Sequence, residues 1–350
     1  MKEFDISKIV RSNVAVLEPY SSARDEFKTQ GEEMVFLDAN ENPNDNGLNR
    51  YPDPQQSRVK EKLSEIRNID SRNILLGNGS DEVLDLIFRA FCEPGKDNVI
   101  TLPPTYGMYK VLAGINNIEN REVYLNHEFE PDATAILNMV DEHTKIIFLC
   151  SPNNPSGNSF DADTVCTILD NFDGLVVIDE AYIDFSEQDS WLEKLDYFPN
   201  LILTQTFSKA FGMAGIRLGI LFASEEIIAV LNKIKPPYNV NQLTQDQAIK
   251  TLSDVKNIKS QISEILEERL RLSKALLEVN FVSKVYKSDA NFLLIEVDDA
   301  NLRYEELLKK GIVIRNRSSQ PLCENCLRIT IGTKEENKRL IRAIKELENA

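Results

Sequence analysis

Six short apolar runs, each followed by a helical or turn-rich stretch, constrain most strongly how this chain can fold. Within each run the apolar residues are nearly continuous, which is typical of strands that are buried on both faces of a sheet. Helical patterns between the runs predict an α/β fold with a mostly parallel sheet and right-handed crossover connections. The predicted strands are 72–78, 98–103, 145–150, 174–179, 201–206 and 217–223.

A helix is predicted directly after the first strand, over 80–92. Its apolar residues recur at helical spacing and form one stripe, and Ser80 stands where an N-cap is expected. We therefore expect one face of this helix to pack against the sheet. The stripe consists of Val83, Leu84, Ile87, Phe88 and Phe91.

The sequence pattern changes after about residue 235, where "KPPYNV" interrupts it. A long amphipathic helix is predicted from about 244 to 279, followed by three short strands, and this pattern is typical of a smaller α+β domain. The N-terminal segment has no strong period, and we expect it to pack with that smaller domain. The predicted division is 1–35 for the N-terminal segment, 36–235 for a large α/β domain and 236–350 for the small domain, with strands at 291–298, 311–316 and 326–333.

The net charge of −16 argues against nucleic acid and against an anionic membrane surface as partners. The chain has no apolar run of the roughly 18 residues that span a bilayer, and "MKEFDISKIV" lacks a signal-peptide core. Five cysteines, an odd number, favour a reducing compartment, and the cytoplasm is the expected location. Cys323 and Cys326 form a single CxxC without a second pair, and we expect no metal site.

Ligands bind at the carboxyl ends of the strands in such a sheet, and the residues that follow the predicted strands carry diverse chemistry. Two glycines in 77–82 and the helix that begins there suit an anion. The later strands are followed by an aromatic ring, an amide, a carboxylate with a phenol, and a lysine among small and apolar neighbours. These residues are Tyr106, Asn154, Asp179, Tyr182 and Lys209, with Arg217 eight residues after the lysine.

Pyridoxal phosphate is a cofactor that uses all of these groups together. It needs a lysine for its Schiff base, an acid to pair with its ring nitrogen, and a cup for its phosphate. It also gains from hydrogen bonds to its ring hydroxyl. Lys209 would be the nucleophile, and dry, cationic surroundings would keep part of its amine neutral by lowering its pKa.

On these motifs the sequence resembles the fold-type I aminotransferases, and within them the histidinol-phosphate aminotransferase family. The resemblance implies a large domain with a mostly parallel sheet of the seven-stranded type, a smaller α+β domain, and a homodimer with shared active sites. Ser156 departs from the family pattern, in which threonine is commoner. The resemblance is carried by "PYSSAR" (19–24), "LDANENP" (37–43), "RYPDP" (50–54), "GNGSDE" (77–82), "PPTYGMY" (103–109), "CSPNNPSG" (150–157), "DEAYIDF" (179–185), "TFSKAFGMAGIRLG" (206–219) and "CLRITIGT" (326–333).

Carried over position by position, the resemblance implies a role for each cofactor-site residue. Lys209 would form the Schiff base and move the proton at the substrate Cα, while Asp179 would pair with the pyridinium nitrogen. Asn154 and Tyr182 would bind the ring oxygen, and Tyr106 would stack on the ring. The phosphate would be held by Gly79, Ser80, Asp81, Ser208 and Arg217, with Tyr51 reaching the phosphate site of the neighbouring subunit.

The same resemblance implies the substrate side of the site. Arg328 would grip the substrate anion and Arg315 would be a second clamp, while Tyr20 and Asn42 match further substrate positions; a role for Arg317 stays open. The implied reaction exchanges the amino group between histidinol phosphate and 2-oxoglutarate in histidine biosynthesis, giving imidazole acetol phosphate and glutamate. The alternatives are a lyase similar to threonine-phosphate decarboxylase, an aromatic aminotransferase, and a non-enzymatic regulator built on an aminotransferase-like domain.

Overall fold

The larger sheet in the structure, a computed structural model that describes residues 4–20 and 35–348, has seven strands. They are β1 (Ile74–Gly77), β2 (Asn98–Thr101), β3 (Glu119–Glu122), β4 (Thr144–Cys150), β5 (Leu175–Asp179), β6 (Leu201–Thr206) and β7 (Gly219–Ala223). Their order across the sheet is β1-β7-β6-β5-β4-β2-β3. Strand β7 is antiparallel to both of its neighbours, and the other neighbouring pairs are parallel. The expected α/β fold with a mostly parallel sheet is confirmed.

All six strands expected from the apolar runs are present, and β3 is an additional one. Strand β3 has the sequence "ENRE" and lies at the edge of the sheet, where it pairs with β2. Its side chains are exposed or half-buried. An edge strand of this kind needs no apolar run, so the sequence carries no strand signal at this position.

Both faces of the larger sheet are covered by helices. Successive strand residues such as Val176 and Val177 belong to different apolar cores on the two sides. This arrangement explains why the strands have nearly continuous apolar sequences. Helices α2 (Ser57–Arg67), α5 (Ala133–Asn138) and α6 (Ala162–Asn171) cover one face, and α3 (Ser80–Phe91), α4 (Met108–Ile115) and α7 (Glu225–Ile234) cover the other.

Helix α3 buries the whole predicted apolar stripe, from Val83 to Phe91. The predicted N-cap is wrong by one residue. Ser80 is the first residue of the helix, and the cap position is occupied by Gly79, which makes no side-chain capping hydrogen bond. The shift arises because Gly79 has φ of +83°, a backbone conformation that glycine adopts readily, and the chain therefore turns from strand to helix one residue earlier.

The second sheet has four antiparallel strands and forms the centre of the C-terminal α+β region. Its strands β8 (Val282–Val285), β9 (Phe292–Val297), β10 (Arg315–Asn316) and β11 (Cys326–Thr330) lie in the order β10-β11-β9-β8. Residues of α9 (Val255–Leu276), α10 (Ala300–Lys309) and α11 (Lys334–Glu348) complete an apolar core against this sheet.

The single long helix expected over 244–279 is wrong, because the structure has two helices there. Helix α8 spans Gln242–Leu252, and α9 begins at Val255. Asp254 lies between them, and its side chain accepts a hydrogen bond from the backbone N–H of Asn257. This N-cap starts a new helix, whereas the amphipathic pattern continues across the break and conceals it.

The described part of the N-terminal segment, which includes the short helix α1 (Ser12–Ala15), packs on the large sheet layer. Ile9 is buried in the core that contains α3 and α7, and the backbone N–H of Arg11 donates to the carbonyl of Ala90 at 3.0 Å. The Arg11 guanidinium also pairs with Glu93 at 3.2 Å. The expected packing against the smaller domain is therefore wrong for these residues, because the α3 layer accepts their apolar side chains. Residues 21–34 lie outside the described part, and the boundary at 235 stays a prediction.

The described helices include none that is long and apolar enough to cross a membrane. All five cysteines are free thiols, and Cys323 and Cys326 are both buried. Within residues 4–20 and 35–348, no group of three or more His, Cys, Asp or Glu side chains is arranged to hold a metal ion.

Candidate active site

A cavity of about 160 Å³ lies at the carboxyl ends of β4, β5 and β6 and beside the N-terminus of α3. Most of the predicted cofactor residues line it, so the structure brings together side chains from five separate strand ends. A larger groove of about 700 Å³ lies between α9 and α11, away from all of these residues. The smaller cavity is lined by Ser80, Asp81, Tyr106, Cys150, Asn154, Asp179, Ala181, Tyr182, Thr206, Ser208, Lys209, Ala214 and Arg217.

Asp179 is the last residue of β5, and its carboxylate is buried at the base of this cavity. The hydroxyl of Tyr109 donates to its Oδ2 at 2.7 Å, and the backbone N–H of Ala181 donates to its Oδ1 at 3.2 Å. Burial raises the pKa of Asp179, and these two hydrogen bonds oppose that rise by stabilising the charged form.

Tyr109 is a site residue that sequence reasoning missed. Its ring is fully buried, stacks on Phe148 at a centroid distance of 4.9 Å, and meets the edge of Tyr106 at 5.6 Å. The available signal was its spacing, because Tyr109 lies three residues after Tyr106, in the first turn of α4, and residues one helical turn apart can lie on the same side. The contact with Asp179 itself joins residues that are 70 positions apart.

Lys209 follows β6 and lines the cavity, with its Nζ 5.7 Å from the ring centroid of Tyr182. The side chain stays exposed through the cavity mouth, so the dry setting expected from the sequence is only partly realised. Enough protein still surrounds the amine for burial to lower the pKa of Lys209. The charges of Arg328 and Arg217 lower this pKa further, whereas Asp179 raises it.

The turn before α3 and the loop after Lys209 together form a cup with anion-binding character. Gly79 lies so close to Arg217 that a Cβ atom at this position would be 2.6 Å from Nη2 of the guanidinium. The first N–H groups of α3 have no partner within the helix and point toward the cup. Asp81 lies 3.8 Å from Arg217 and accepts a hydrogen bond from the Tyr106 hydroxyl at 3.0 Å.

Asn154 connects the cavity with the smaller sheet. Its Nδ2 lies 3.5 Å from the Tyr182 hydroxyl, and its Oδ1 accepts a hydrogen bond from Arg328 of β11. The Arg328 guanidinium also lies over the Phe292 ring, with 5.2 Å between Cζ and the ring centroid. Burial lowers the pKa of Arg328 to about 10, and the charges of Arg317 and Arg315 act in the same direction. Arg328 is therefore positioned at the edge of the cavity as a poorly hydrated cation.

Six predicted residues do not line the cavity within this chain. Two of them, Gly79 and Arg328, contact residues that line it. The other four lie elsewhere. Tyr20 and Asn42 are exposed, and Asn42 accepts hydrogen bonds from Asn44 at 2.9 Å. Tyr51 is 52% exposed and stacks on Tyr238 with 4.6 Å between ring centroids. Arg315 is exposed on β10, where it is the strand partner of Arg328.

The residues of the cavity fit pyridoxal phosphate. One end offers the cup, in which the absence of a side chain at Gly79 admits a group beside Arg217. The other end offers a buried carboxylate that is held by Tyr109, as a ring nitrogen that carries a proton requires. Lys209 lies within the same cavity, and the Tyr106 ring forms part of its wall. The donor set therefore contains an anion site, an acid partner and a nucleophilic amine.

Comparisons with known proteins identify the family. The family model for aminotransferases of class I and II matches residues 28–344. The chain is 76% identical to the histidinol-phosphate aminotransferase of Christiangramia forsetii, over 100% of both chains. It is 65% identical to that of Flavobacterium johnsoniae, over 99% of this chain and 100% of the relative.

Solved structures of histidinol-phosphate aminotransferases share the fold of this chain. The histidinol-phosphate aminotransferase of Clostridium acetobutylicum superposes with a TM-score of 0.80 at 26% identity, covering 86% of this chain and 91% of the other. That of Sinorhizobium meliloti, solved in complex with pyridoxal-5'-phosphate, has a TM-score of 0.79 at 25% identity and covers 86% and 83% of the two chains.

Proposed function

The chain belongs to the aminotransferases of class I and II, and we propose that it is a histidinol-phosphate transaminase. It exchanges an amino group between histidinol phosphate and 2-oxoglutarate, giving imidazole acetol phosphate and glutamate, a step of histidine biosynthesis. The observation that carries this proposal is that Lys209 and Asp179 line one cavity in a chain 76% identical to an enzyme of that name. A reducing compartment such as the cytoplasm suits its five free thiols.

Pyridoxal phosphate is the cofactor that this site would hold. Its phosphate would lie in the cup formed by the N-terminus of α3, Ser208 and Arg217, and its ring nitrogen beside Asp179. Asn154 and Tyr182 would bind its ring oxygen, and Tyr106 would cover one ring face. When bound, the protonated ring supplies an electron-withdrawing system that stabilises negative charge at the substrate Cα.

The catalytic work of this chain falls mainly on Lys209 and Asp179. Lys209 is the nucleophile and general base, and its neutral amine takes the proton from the substrate Cα. Burial and the charges of Arg328 and Arg217 lower the pKa of Lys209, which increases the neutral fraction near neutral pH. Asp179 keeps a proton on the ring nitrogen, and its hydrogen bond with Tyr109 favours the ionised form that this role needs.

Arg328 binds the anionic group of each substrate in turn. Its guanidinium can hold a carboxylate through two parallel hydrogen bonds, which suits glutamate and 2-oxoglutarate. Its contact with Asn154 places this anion site next to the residues that bind the cofactor ring. Arg315, its strand partner, is a second clamp for the larger phosphate ester of histidinol phosphate.

We also infer a homodimer with shared active sites. Tyr51 lies outside its own chain's cavity and remains 52% exposed, which is the position expected of a side chain that serves a neighbouring subunit. Large apolar side chains nearby are also exposed, and burying them would favour self-association. They are Leu48 and Leu243, which line one surface pocket with Tyr51.

A transamination assay with histidinol phosphate and 2-oxoglutarate tests the proposed function. We expect glutamate and imidazole acetol phosphate in equal amounts, and no product from Lys209→Ala. Release of carbon dioxide from a phosphorylated amino acid, without glutamate formation, would instead indicate a decarboxylase.

A further inference from the structure

The short ladder between β10 and β11 places three arginines on one face. Arg315 is the strand partner of Arg328, and the backbone N–H of Arg317 donates to the carbonyl of Cys326 at 2.8 Å, which extends the pairing beyond β10. Side chains alternate along a strand, so Arg315 and Arg317 point to the same side. Strand partners also share a side, so Arg328 lies on that face too.

These arginines have no carboxylate counterion among the described residues. Within residues 4–20 and 35–348, no Asp or Glu oxygen lies within 4.0 Å of a guanidinium nitrogen of Arg315, Arg317 or Arg328. Nε of Arg317 is buried and has no hydrogen-bond partner. Burial lowers the pKa of Arg317, and the charge of Arg315 lowers it further. Cations that are partly desolvated and unpaired are costly unless an anion joins them.

The Arg317 side chain is less exposed than that of Arg315, its neighbour on the same face. Arg317 is half-buried, and its charge acts on the Tyr182 hydroxyl of the cavity wall. Burial raises the pKa of Tyr182, whereas Arg328 and Arg317 both oppose that rise. The positive charges of Arg328 and Arg317 therefore both lie on the side of the cavity where the substrate anion is expected to bind.

We propose that Arg317 binds the phosphate ester of the amino donor together with Arg328, and that it makes the site prefer a dianionic donor over glutamate. The inference rests on the proposed function and specifies its substrate selectivity. The carboxylate of glutamate is satisfied by the bidentate fork of one arginine. A phosphate ester has three free oxygens and up to two charges, so it can engage the Arg317 guanidinium in addition to that of Arg328.

Arg317 fixes the adjacent loop through backbone hydrogen bonds and not through its side chain. Its N–H donates to Cys326, and its carbonyl accepts from the N–H of Gln320 at 2.8 Å. A side-chain substitution leaves both hydrogen bonds available. We therefore expect Arg317→Gln to fold normally, with a melting temperature close to that of the wild type.

The first test compares the two amino donors on the cofactor-loaded enzyme. In Arg317→Gln, we expect kcat/KM for the histidinol-phosphate half-reaction to fall about 10- to 100-fold, the effect of one lost charge-assisted hydrogen bond. The glutamate half-reaction should change by less than about threefold. Lys309→Gln, which removes the same charge from an exposed position on α10, controls for long-range electrostatics. Equal losses for both donors would overturn the proposal.

The second test does not require histidinol phosphate as a donor. Inorganic phosphate should inhibit the loaded wild-type enzyme by competing with glutamate, and Arg317→Gln should raise its inhibition constant by about tenfold or more. Arg317→Lys keeps the charge but loses the planar fork, so its inhibition constant should lie between those of the wild type and Arg317→Gln. If the glutamine variant does not fold, the comparison of Arg317→Lys with the wild type tests the proposal. An unchanged inhibition constant in both variants would contradict the role of Arg317. Failure of the wild type to use histidinol phosphate would instead contradict the proposed function.

Discussion

The hydroxyl of Tyr109 donates a 2.7 Å hydrogen bond to Oδ2 of Asp179, in a fully buried contact between α4 and the end of β5. Burial alone would favour the neutral acid, because it raises the pKa of Asp179. The hydrogen bond favours the ionised form, which is the form that can hold a proton on a ring nitrogen. We therefore propose that Tyr109 is a positioning residue that acts through Asp179.

Tyr109→Phe should impair the enzyme chiefly at low pH. The variant keeps the aromatic packing on Phe148 but loses the donor, so the pKa of Asp179 rises further. Because the proposed role of Asp179 requires its ionised form, the acid limb of the kcat profile should move to higher pH. A pH profile of wild type and variant measures this shift. An identical acid limb in both proteins would show that the hydrogen bond does not tune Asp179.

Gly79→Ala should weaken cofactor binding by about tenfold or more, because the new Cβ would displace Arg217 from the cup. Gly47→Ala is a matched control. Gly47 has φ of +80°, almost the same as the +83° of Gly79, but a Cβ there has no neighbour within 4 Å. Both variants therefore carry similar backbone strain. If a cofactor titration finds equal affinities in the two variants, Gly79 and Arg217 do not form the phosphate-binding cup.

Arg328→Ala should damage both half-reactions, because both donors present an anion to this residue. The loss should be about 10- to 100-fold in kcat/KM for each donor. Arg315→Ala should damage the histidinol-phosphate half-reaction more than the glutamate one. Single-turnover absorption spectra with each donor measure the four rates. If Arg315→Ala lowers kcat/KM by the same factor for both donors, Arg315 does not bind the phosphate group.

Mixing two inactive variants tests the shared active site. Chains with Lys209→Ala and chains with Tyr51→Ala should each be poorly active. After random subunit exchange, half of the dimers are mixed and have one intact site of two, so activity should rise toward about a quarter of wild type. Exchange must be verified independently, for example by mass spectrometry of labelled chains. Without recovery after verified exchange, Tyr51 would serve the site of its own chain.

Sequence reasoning predicted most of the residues that line the candidate cavity, because apolar runs indicate where the strands of a doubly wound sheet end. The central strands are buried on both faces, so their apolar runs end where the binding loops begin, and Asp179 and Lys209 follow directly from those ends. The residues that it missed depend on contacts between distant segments. Tyr109 joins Asp179 across 70 positions. The role of Arg317 stayed open in the sequence because the orientation of its side chain depends on its pairing with Cys326.

The errors in the predicted elements also have local physical causes. Strand β3 is polar because it lies at the edge of the sheet, so no apolar run reveals it. The break before α9 depends on one capping side chain, Asp254, within an amphipathic pattern that continues past it. Packing of the N-terminal segment against α3 depends on a few apolar residues, such as Ile9, that have no periodic signature.

The most direct test of the central claim is a single-turnover reaction of the cofactor-loaded enzyme with histidinol phosphate, followed by absorption spectroscopy. We predict that the bound cofactor converts from its aldehyde form to its amine form with release of one imidazole acetol phosphate per site. Lys209→Ala should lose this rate by several orders of magnitude, because one residue supplies both nucleophile and general base. Faster conversion of the wild type by phenylalanine or histidine than by histidinol phosphate would contradict the account.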